Sequence, residues 1–140
     1  MKILLAADGS SYTKKALAFL VTHEELAGGD GHLVVLNVQT PVPPRVKGML
    51  GSTAIAEYHK DESEKVLKPI DRFLARHGIQ YTLKMTVGNA GQEIVRAAKR
   101  EKCQLVVMGT HGHGLLGRAL LGSVAQTVVT DSEVPVLLVK

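Results

Sequence analysis

Five short apolar runs, rich in β-branched residues, punctuate the chain at residues 3–7, 32–38, 80–87, 105–108 and 135–139. Between them lie longer stretches whose apolar positions recur at spacings of three and four. Continuous apolar runs suit strands buried on both faces, and amphipathic helices between them supply the cover. The alternation predicts an α/β fold, a doubly wound five-stranded parallel sheet with helices on both faces. Right-handed crossovers restrict the topology, and the strand order expected is 3-2-1-4-5.

The first helix is expected over residues 11–26, with Tyr12, Ala16, Phe19, Leu20 and His23 as its buried stripe and Gly28-Gly29-Asp30-Gly31 as its breaker. Pro41, Pro43, Pro44, Gly48 and Gly51 crowd residues 40–51, a density that predicts an irregular, mobile flap. A long helix over 53–77 follows, with Val66, Ile70, Phe73, Leu74 and His77 on one face, a kink at Pro69 and a stop at Gly78. Ile94, Val95 and Ala98 mark a shorter helix after the turn Gly88-Asn89-Ala90-Gly91. The last helix should open at Gly122-Ser123, where the serine hydroxyl can cap it or meet a ligand, and run to Asp131. Neither a linker nor an internal repeat divides the pattern, so one domain over residues 1–140 is expected.

Composition narrows the function classes. The net charge is +4, but basic residues are interleaved with acids, as in Lys60-Asp61-Glu62-Ser63-Glu64-Lys65. With no Trp, two Phe and three Tyr there is little to stack on bases, which argues against a nucleic-acid partner. The lone Cys103 excludes an intrachain disulfide and a cysteine metal cluster. No apolar stretch approaches membrane-spanning length, and the run at the amino end is too short for a secretory signal, so the expected location is cytoplasmic.

The chemistry concentrates between residues 109 and 123, where a long, basic, glycine-rich loop joins an apolar run to a helix. Glycines let backbone N–H groups approach an anion, and the unpaired N–H groups of a helix start add partial positive charge. In the expected strand order the first and fourth strands are neighbours and a crevice opens beyond their carboxyl ends, bringing Asp8-Gly9-Ser10 to face this loop. Gly112-His113-Gly114-Leu115-Leu116-Gly117 matches G-x-G-x-x-G literally, but it lacks the tight turn into a helix and the later acid of a dinucleotide site. No Gly-Lys-Ser/Thr occurs, so a Walker A loop is absent. A response-regulator receiver needs an acceptor aspartate after the third strand, where this chain has Gly88-Asn89. His111 and His113 have no acid or cysteine beside them in sequence, which favours a phosphate-facing or solvated role over a metal site.

A wider frame fits better. Gly109, Gly112 and Gly122-Ser123 read G-x2-G-x9-G-S/T, flanked by Ile3-Leu4-Leu5-Ala6-Ala7-Asp8-Gly9-Ser10 at one end and Val134-Pro135-Val136-Leu137-Leu138-Val139 at the other. On these residues the chain resembles the ATP-binding branch of the universal stress protein family over essentially its whole length. The resemblance implies an adenine nucleotide α-hydrolase-like fold and an ATP site (or AMP or ADP), with magnesium as a further expectation. Carried over residue by residue, it implies contacts from Ala6 and Asp8, the carboxylate lying near the ribose or a divalent ion, and from the backbone of Val38 to adenine. Met108, Gly109, Thr110, Gly112, His113 and Gly114 would form the first part of the phosphate loop, and Gly122, Ser123 and Val124 would wrap the distal phosphates.

The chain departs from the family where its loops carry arginine or lysine: here stand His111, His113 and Gly117, with Arg118 remaining. Two imidazoles that charge in mild acid imply tighter nucleotide binding at pH 6 than at pH 8. The closing run is apolar on both faces and ends a sheet edge, so a homodimer through residues 135–140 is expected, as the resemblance also implies. Truncation before Pro135 should abolish it. No catalytic residues emerge, because no nucleophile and base pair and no paired carboxylates are evident. The expected action is nucleotide-dependent contact with a protein partner in a regulatory or stress-response role. The rival is a weak ATPase or ATP-using enzyme of the wider α-hydrolase group, whose Ser-Gly-Gly type loop Asp8-Gly9-Ser10-Ser11 echoes only distantly.

Overall fold

A computed structural model describes residues 1–112 and 121–140. Its elements are β1 (Lys2–Ala6), α1 (Ser11–Thr22), α2 (Glu24–Ala27), β2 (His32–Gln39), α3 (Pro44–Ala75), β3 (Tyr81–Val87), α4 (Ala90–Arg100), β4 (Leu105–Gly109), α5 (Ser123–Asp131) and β5 (Val136–Val139). The strands form one parallel sheet in the expected order, β3-β2-β1-β4-β5. In the central strand Leu4 lies between Val34 of β2 and Val106 of β4.

Alternate side chains of the central strands feed two apolar layers. Ile3, Leu5, Leu33, Val35 and Val107 pack with Ala16, Leu17 and Leu20 of α1 and Ile70 and Leu74 of α3. Leu4, Val34, Leu36, Val106 and Met108 pack with Ile94, Ala97 and Ala98 of α4 and Ala125 and Val128 of α5. Burial on both faces is why these runs are unbroken in sequence. The crossovers also change face: α1 and α3 carry the chain outward to β3, and α4 carries it back across to β4. That reversal, between β1 and β4, leaves a crevice at the carboxyl ends of the strands.

Three local expectations are corrected. The first helical stretch is two helices, not one over 11–26, and its buried positions are Thr13, Ala16, Leu17 and Leu20, with Tyr12 and Phe19 half-buried. The break is His23, whose Nδ1–H reaches the Phe19 carbonyl at 2.8 Å while its ring stacks on Phe19. With that acceptor taken, the His23 backbone N–H turns to the Leu20 carbonyl instead. The same Phe-x-x-x-His arrangement recurs just past α3, where His77 Nδ1–H reaches the Phe73 carbonyl at 2.7 Å and Gly78 takes a positive φ of 65°.

The proline-rich stretch is the second correction, since residues 44–50 are helical rather than irregular. Proline at the first helical position has no N–H to lose and a φ already suited to the helix, so Pro44 starts α3 instead of preventing it. The third correction concerns the kink. Pro69 lies within α3, but the residue with non-helical angles is Gly51, at φ 79° and ψ 163°. Just before it Met49 and Leu50 stand exposed. Among the described residues no helix is long and apolar enough to cross a membrane.

Candidate functional site

The loop after β1 is shaped by one carboxylate. Gly9 takes φ 79°, which lets the chain reverse so that Asp8 Oδ1 accepts from the Ser10 N–H at 2.9 Å and from the Thr13 hydroxyl at 2.9 Å. The Asp8 N–H in turn donates to Thr13 Oγ1 at 3.1 Å. Behind it, Asn37 of β2 is buried and donates from Nδ2 to the Ala7 carbonyl at 2.8 Å, while Gln39 Nε2 donates to Asn37 Oδ1. A polar side chain inside an apolar strand thus fixes the carboxyl end of its neighbour.

On the other side of the crevice, β4 ends at Gly109, and the Thr110 N–H donates to the Val139 carbonyl of β5 at 3.0 Å. The Thr110 carbonyl accepts from the Gly122 N–H at 2.8 Å, so the glycine-rich loop is tied at its neck. Thr110 Oγ1 also lies 2.9 Å from His111 Nδ1, and the His111 ring lies 5.3 Å from that of Tyr12.

The glycines of the frame serve close packing. A Cβ on Gly109 would lie 2.3 Å from the Cβ of Tyr12, so this position must be bare for α1 to rest against β4. A Cβ on Gly112 would lie 2.6 Å from Asp8 Oδ2, which brings the loop against the aspartate across the crevice. Neither Gly109 nor Gly112 has a positive φ.

Three of the helices that begin at this end of the sheet reach the crevice, and their starts differ. Asn89 caps α4, its Oδ1 accepting from the Gln92 N–H at 3.1 Å. Ser10 at the start of α1 and Gly122 at the start of α5 make no side-chain capping bond. Of the two roles expected for the Ser123 hydroxyl, capping the helix or meeting a ligand, the first does not hold, because the capping position belongs to Gly122, which has no side chain. At these two starts the capping residue satisfies none of the opening N–H groups with its side chain, and each start carries the partial positive charge of a helix end.

Ala6, Asp8, Val38, Met108, Gly109, Thr110, Gly112, Gly122, Ser123 and Val124 all line one cavity, which opens to solvent at its mouth. His113 and Gly114, with Gly117 and Arg118, lie outside the described residues. Sequence reasoning missed Leu36, Ala90 and Ile94, which join Val38 and Met108 in an apolar wall, and Tyr12 and Thr13 from the first turn of α1. Thr13 was legible as a polar residue in the first turn of the helix after the first strand, whereas Ala90 and Ile94 carried only a helix's apolar period. Asp8 is the one carboxylate among the described lining residues, and no group of three or more His, Cys, Asp or Glu gathers among the described residues.

At the opposite end of the sheet the charges meet one another. Glu101, just past α4, accepts a hydrogen bond from Lys84 Nζ of β3 and lies 4.0 Å from Lys2 Nζ. The Lys84 hydrogen bond, against the cost of desolvation, holds the Glu101 carboxyl below its ordinary pKa. Nearby Cys103 is buried, and burial pushes its thiol up.

Comparison with known proteins agrees with this architecture. A universal stress protein from Thermus aquaticus is 36% identical over 139 residues, spanning 99% of this chain and 97% of its own. The structure of hypothetical protein MJ0577 superposes with a TM-score of 0.85 at 27% identity, covering 99% of this chain and 94% of the other. An Arabidopsis thaliana family protein with AMP bound matches with a TM-score of 0.70 at 18% identity, covering 100% and 91% of the two chains. A universal stress protein in complex with cAMP matches at 0.64 and 22%, covering 99% and 94%, and at these identities both show shared fold alone. The model of the universal stress protein family matches residues 1–140, and the fold and the relatives lead to the same place: the chain belongs to that family.

Proposed function

We propose that this chain binds an adenine nucleotide in the crevice between β1 and β4, with ATP as the full ligand, and acts by binding in a regulatory or stress-response role. The observation that carries the reading is the division of the cavity into two halves. Leu36, Val38, Ile94 and Met108 make an apolar wall suited to a base, and the first turns of α1 and α5 offer opening N–H groups, without a side-chain cap, suited to phosphate. Two structural neighbours carry AMP or cAMP, which supports an adenine ligand of this kind. Within the reading, Ala6 and Val38 flank the base, Asp8 approaches the ribose or an ion, and Gly109, Thr110, Gly112, Gly122, Ser123 and Val124 surround the phosphates.

Magnesium fits in one way. A single carboxylate suits an ion held mainly by phosphate oxygens and water, and Asp8 supplies one. Bound there, the ion would neutralise phosphate charge. The test of the nucleotide reading is direct: denature the purified protein and identify released nucleotide by chromatography and mass spectrometry, then titrate ATP into the emptied protein. Release of an adenine nucleotide, or saturable ATP binding, is the expected result. If no nucleotide is released and ATP does not bind saturably, the reading falls.

The same reading extends to assembly through β5. Its four residues are each half-buried and apolar, with Leu137 and Val139 toward one layer and Val136 and Leu138 toward the other, on a strand at the sheet edge. A two-fold dimer pairing β5 with its copy would cover that edge. Light scattering should give twice the mass of the 15.0 kDa chain, and removal of residues 135–140 should halve it.

A further inference from the structure

The nucleotide reading draws on the starts of α1 and α5, but at the first of these it leaves the Ser10 hydroxyl unexplained. Ser10 stands at the capping position of α1, where a serine ordinarily accepts from an N–H of the first turn. Here it makes no such bond. Among the described residues its Oγ has no hydrogen-bond partner, although the residue is only 6% exposed and lines the cavity. Burying a hydroxyl without a partner is unfavourable. Its backbone is well placed for capping (φ −72°, ψ 170°), so the hydroxyl forgoes a local bond that costs little to make. By contrast α4, the third helix whose first turn reaches the cavity, has its cap satisfied by Asn89.

Two helix starts without a side-chain cap thus open into one cavity, and one of them carries a buried hydroxyl in need of a partner. A single phosphate is served by one helix start. Building on the nucleotide reading, we propose that Ser10 and the first turn of α1 form a second oxyanion subsite, which takes the terminal phosphate of a nucleoside polyphosphate. The site then ranks ligands by the length of their phosphate chain. Asp8 does not contradict this. Its Oδ1 already accepts from Ser10 and Thr13, and its charge beside the helix start favours a phosphate that arrives with its divalent cation.

The test compares ATP with AMP by calorimetric titration in magnesium, on emptied wild-type protein and on Ser10→Ala. Wild type should bind ATP at least about tenfold more tightly than AMP. Ser10→Ala should weaken ATP by about tenfold, the usual effect of losing a hydrogen bond to a charged group, and change AMP by less than about twofold. Ser10→Thr, which keeps the hydroxyl, should restore the preference. Equal weakening of both ligands would place Ser10 at the base or ribose and overturn the proposal, as would no change in either. Should the alanine variant fold poorly, equal affinity of wild type for ATP and AMP would overturn it alone. Failure of wild type to bind either nucleotide would instead defeat the nucleotide reading, and this proposal with it.

Discussion

The two ends of the sheet treat their polar groups in opposite ways. At the end where β1 begins, Glu101 is met by Lys84 and Lys2, so its charge is neutralised within the protein. At the end where β1 finishes, Ser10 Oγ is buried without a partner among the described residues, and two of the three helices whose first turns line the cavity have no side-chain cap. Both ends belong to one sheet, so the contrast does not come from the fold class. Groups that satisfy each other hold the fold, whereas groups left waiting for a ligand cost stability until it arrives. The contrast predicts that substitutions at groups left open at the carboxyl end act on binding, and that those at groups already packed or bonded within the protein act on stability.

The largest effect is expected from Gly122→Val. Its φ of −69° and ψ of 160° suit any residue, so the fold should survive and the melting temperature should stay close to that of wild type. A branched side chain at the start of α5 would occupy the space where the proposed phosphate meets the N–H groups. ATP affinity should fall roughly a hundredfold, equivalent to about 2.8 kcal/mol. Full retention of binding in a calorimetric titration would remove this helix start from the site. Gly109→Ala should do the reverse. The added Cβ meets the Cβ of Tyr12, which is anchored in α1 and cannot swing aside, so a loss of about 1–3 kcal/mol is expected in chemical denaturation. An unchanged denaturation midpoint would mean that α1 does not rest on β4 as described.

These two glycines also mark where the sequence was legible. Strand order, the five strands and the β1/β4 crevice followed from the spacing of apolar runs, because burial on both faces leaves so strong a pattern. The positions of Gly109, Gly112 and Gly122 were equally plain, but their reasons were not: Gly109 makes room for Tyr12 and Gly112 for Asp8, and such contacts join residues about a hundred positions apart. Residues 44–50 misled for a local reason, since proline density signals a break inside a helix yet a preferred start at its first position. Gly51, not Pro69, carries the interruption, because a positive φ is visible in the backbone and not in the residue spacing. Ser10 could be seen as part of Asp8-Gly9-Ser10, but that its hydroxyl goes unused is a fact of three dimensions.

A smaller effect should come from the one satisfied cap. Asn89→Ala removes the acceptor for the Gln92 N–H and should cost about 1 kcal/mol of stability. Because α4 lends the cavity only the apolar Ala90 and Ile94, the ratio of ATP to AMP affinity should not move. A shift in that ratio would extend the phosphate-binding region to a third helix and weaken the contrast among the three starts.

The smallest effect tests the opposite end of the sheet through pH. Lys84 holds the Glu101 carboxyl below its ordinary pKa, so the folded state binds this proton less readily than the unfolded chain does. The stabilisation is therefore fully present above the unfolded carboxylate pKa, near ~4.3, and is lost as pH falls through the lower folded value. Lys84 is more than a third exposed, which limits the pair to less than about 1 kcal/mol after screening. Glu101→Gln should accordingly lower the melting temperature slightly at pH 7, and the gap from wild type should close as the solution is made acid. Added salt should narrow the gap at pH 7 as well. ATP affinity at pH 7 should be untouched, since Glu101 lies at the end of the sheet away from the cavity. If the gap were constant from pH 7 to pH 3, the side chain's packing and not its charge would be what matters, and the amino end would no longer be the place where charge is spent on the fold.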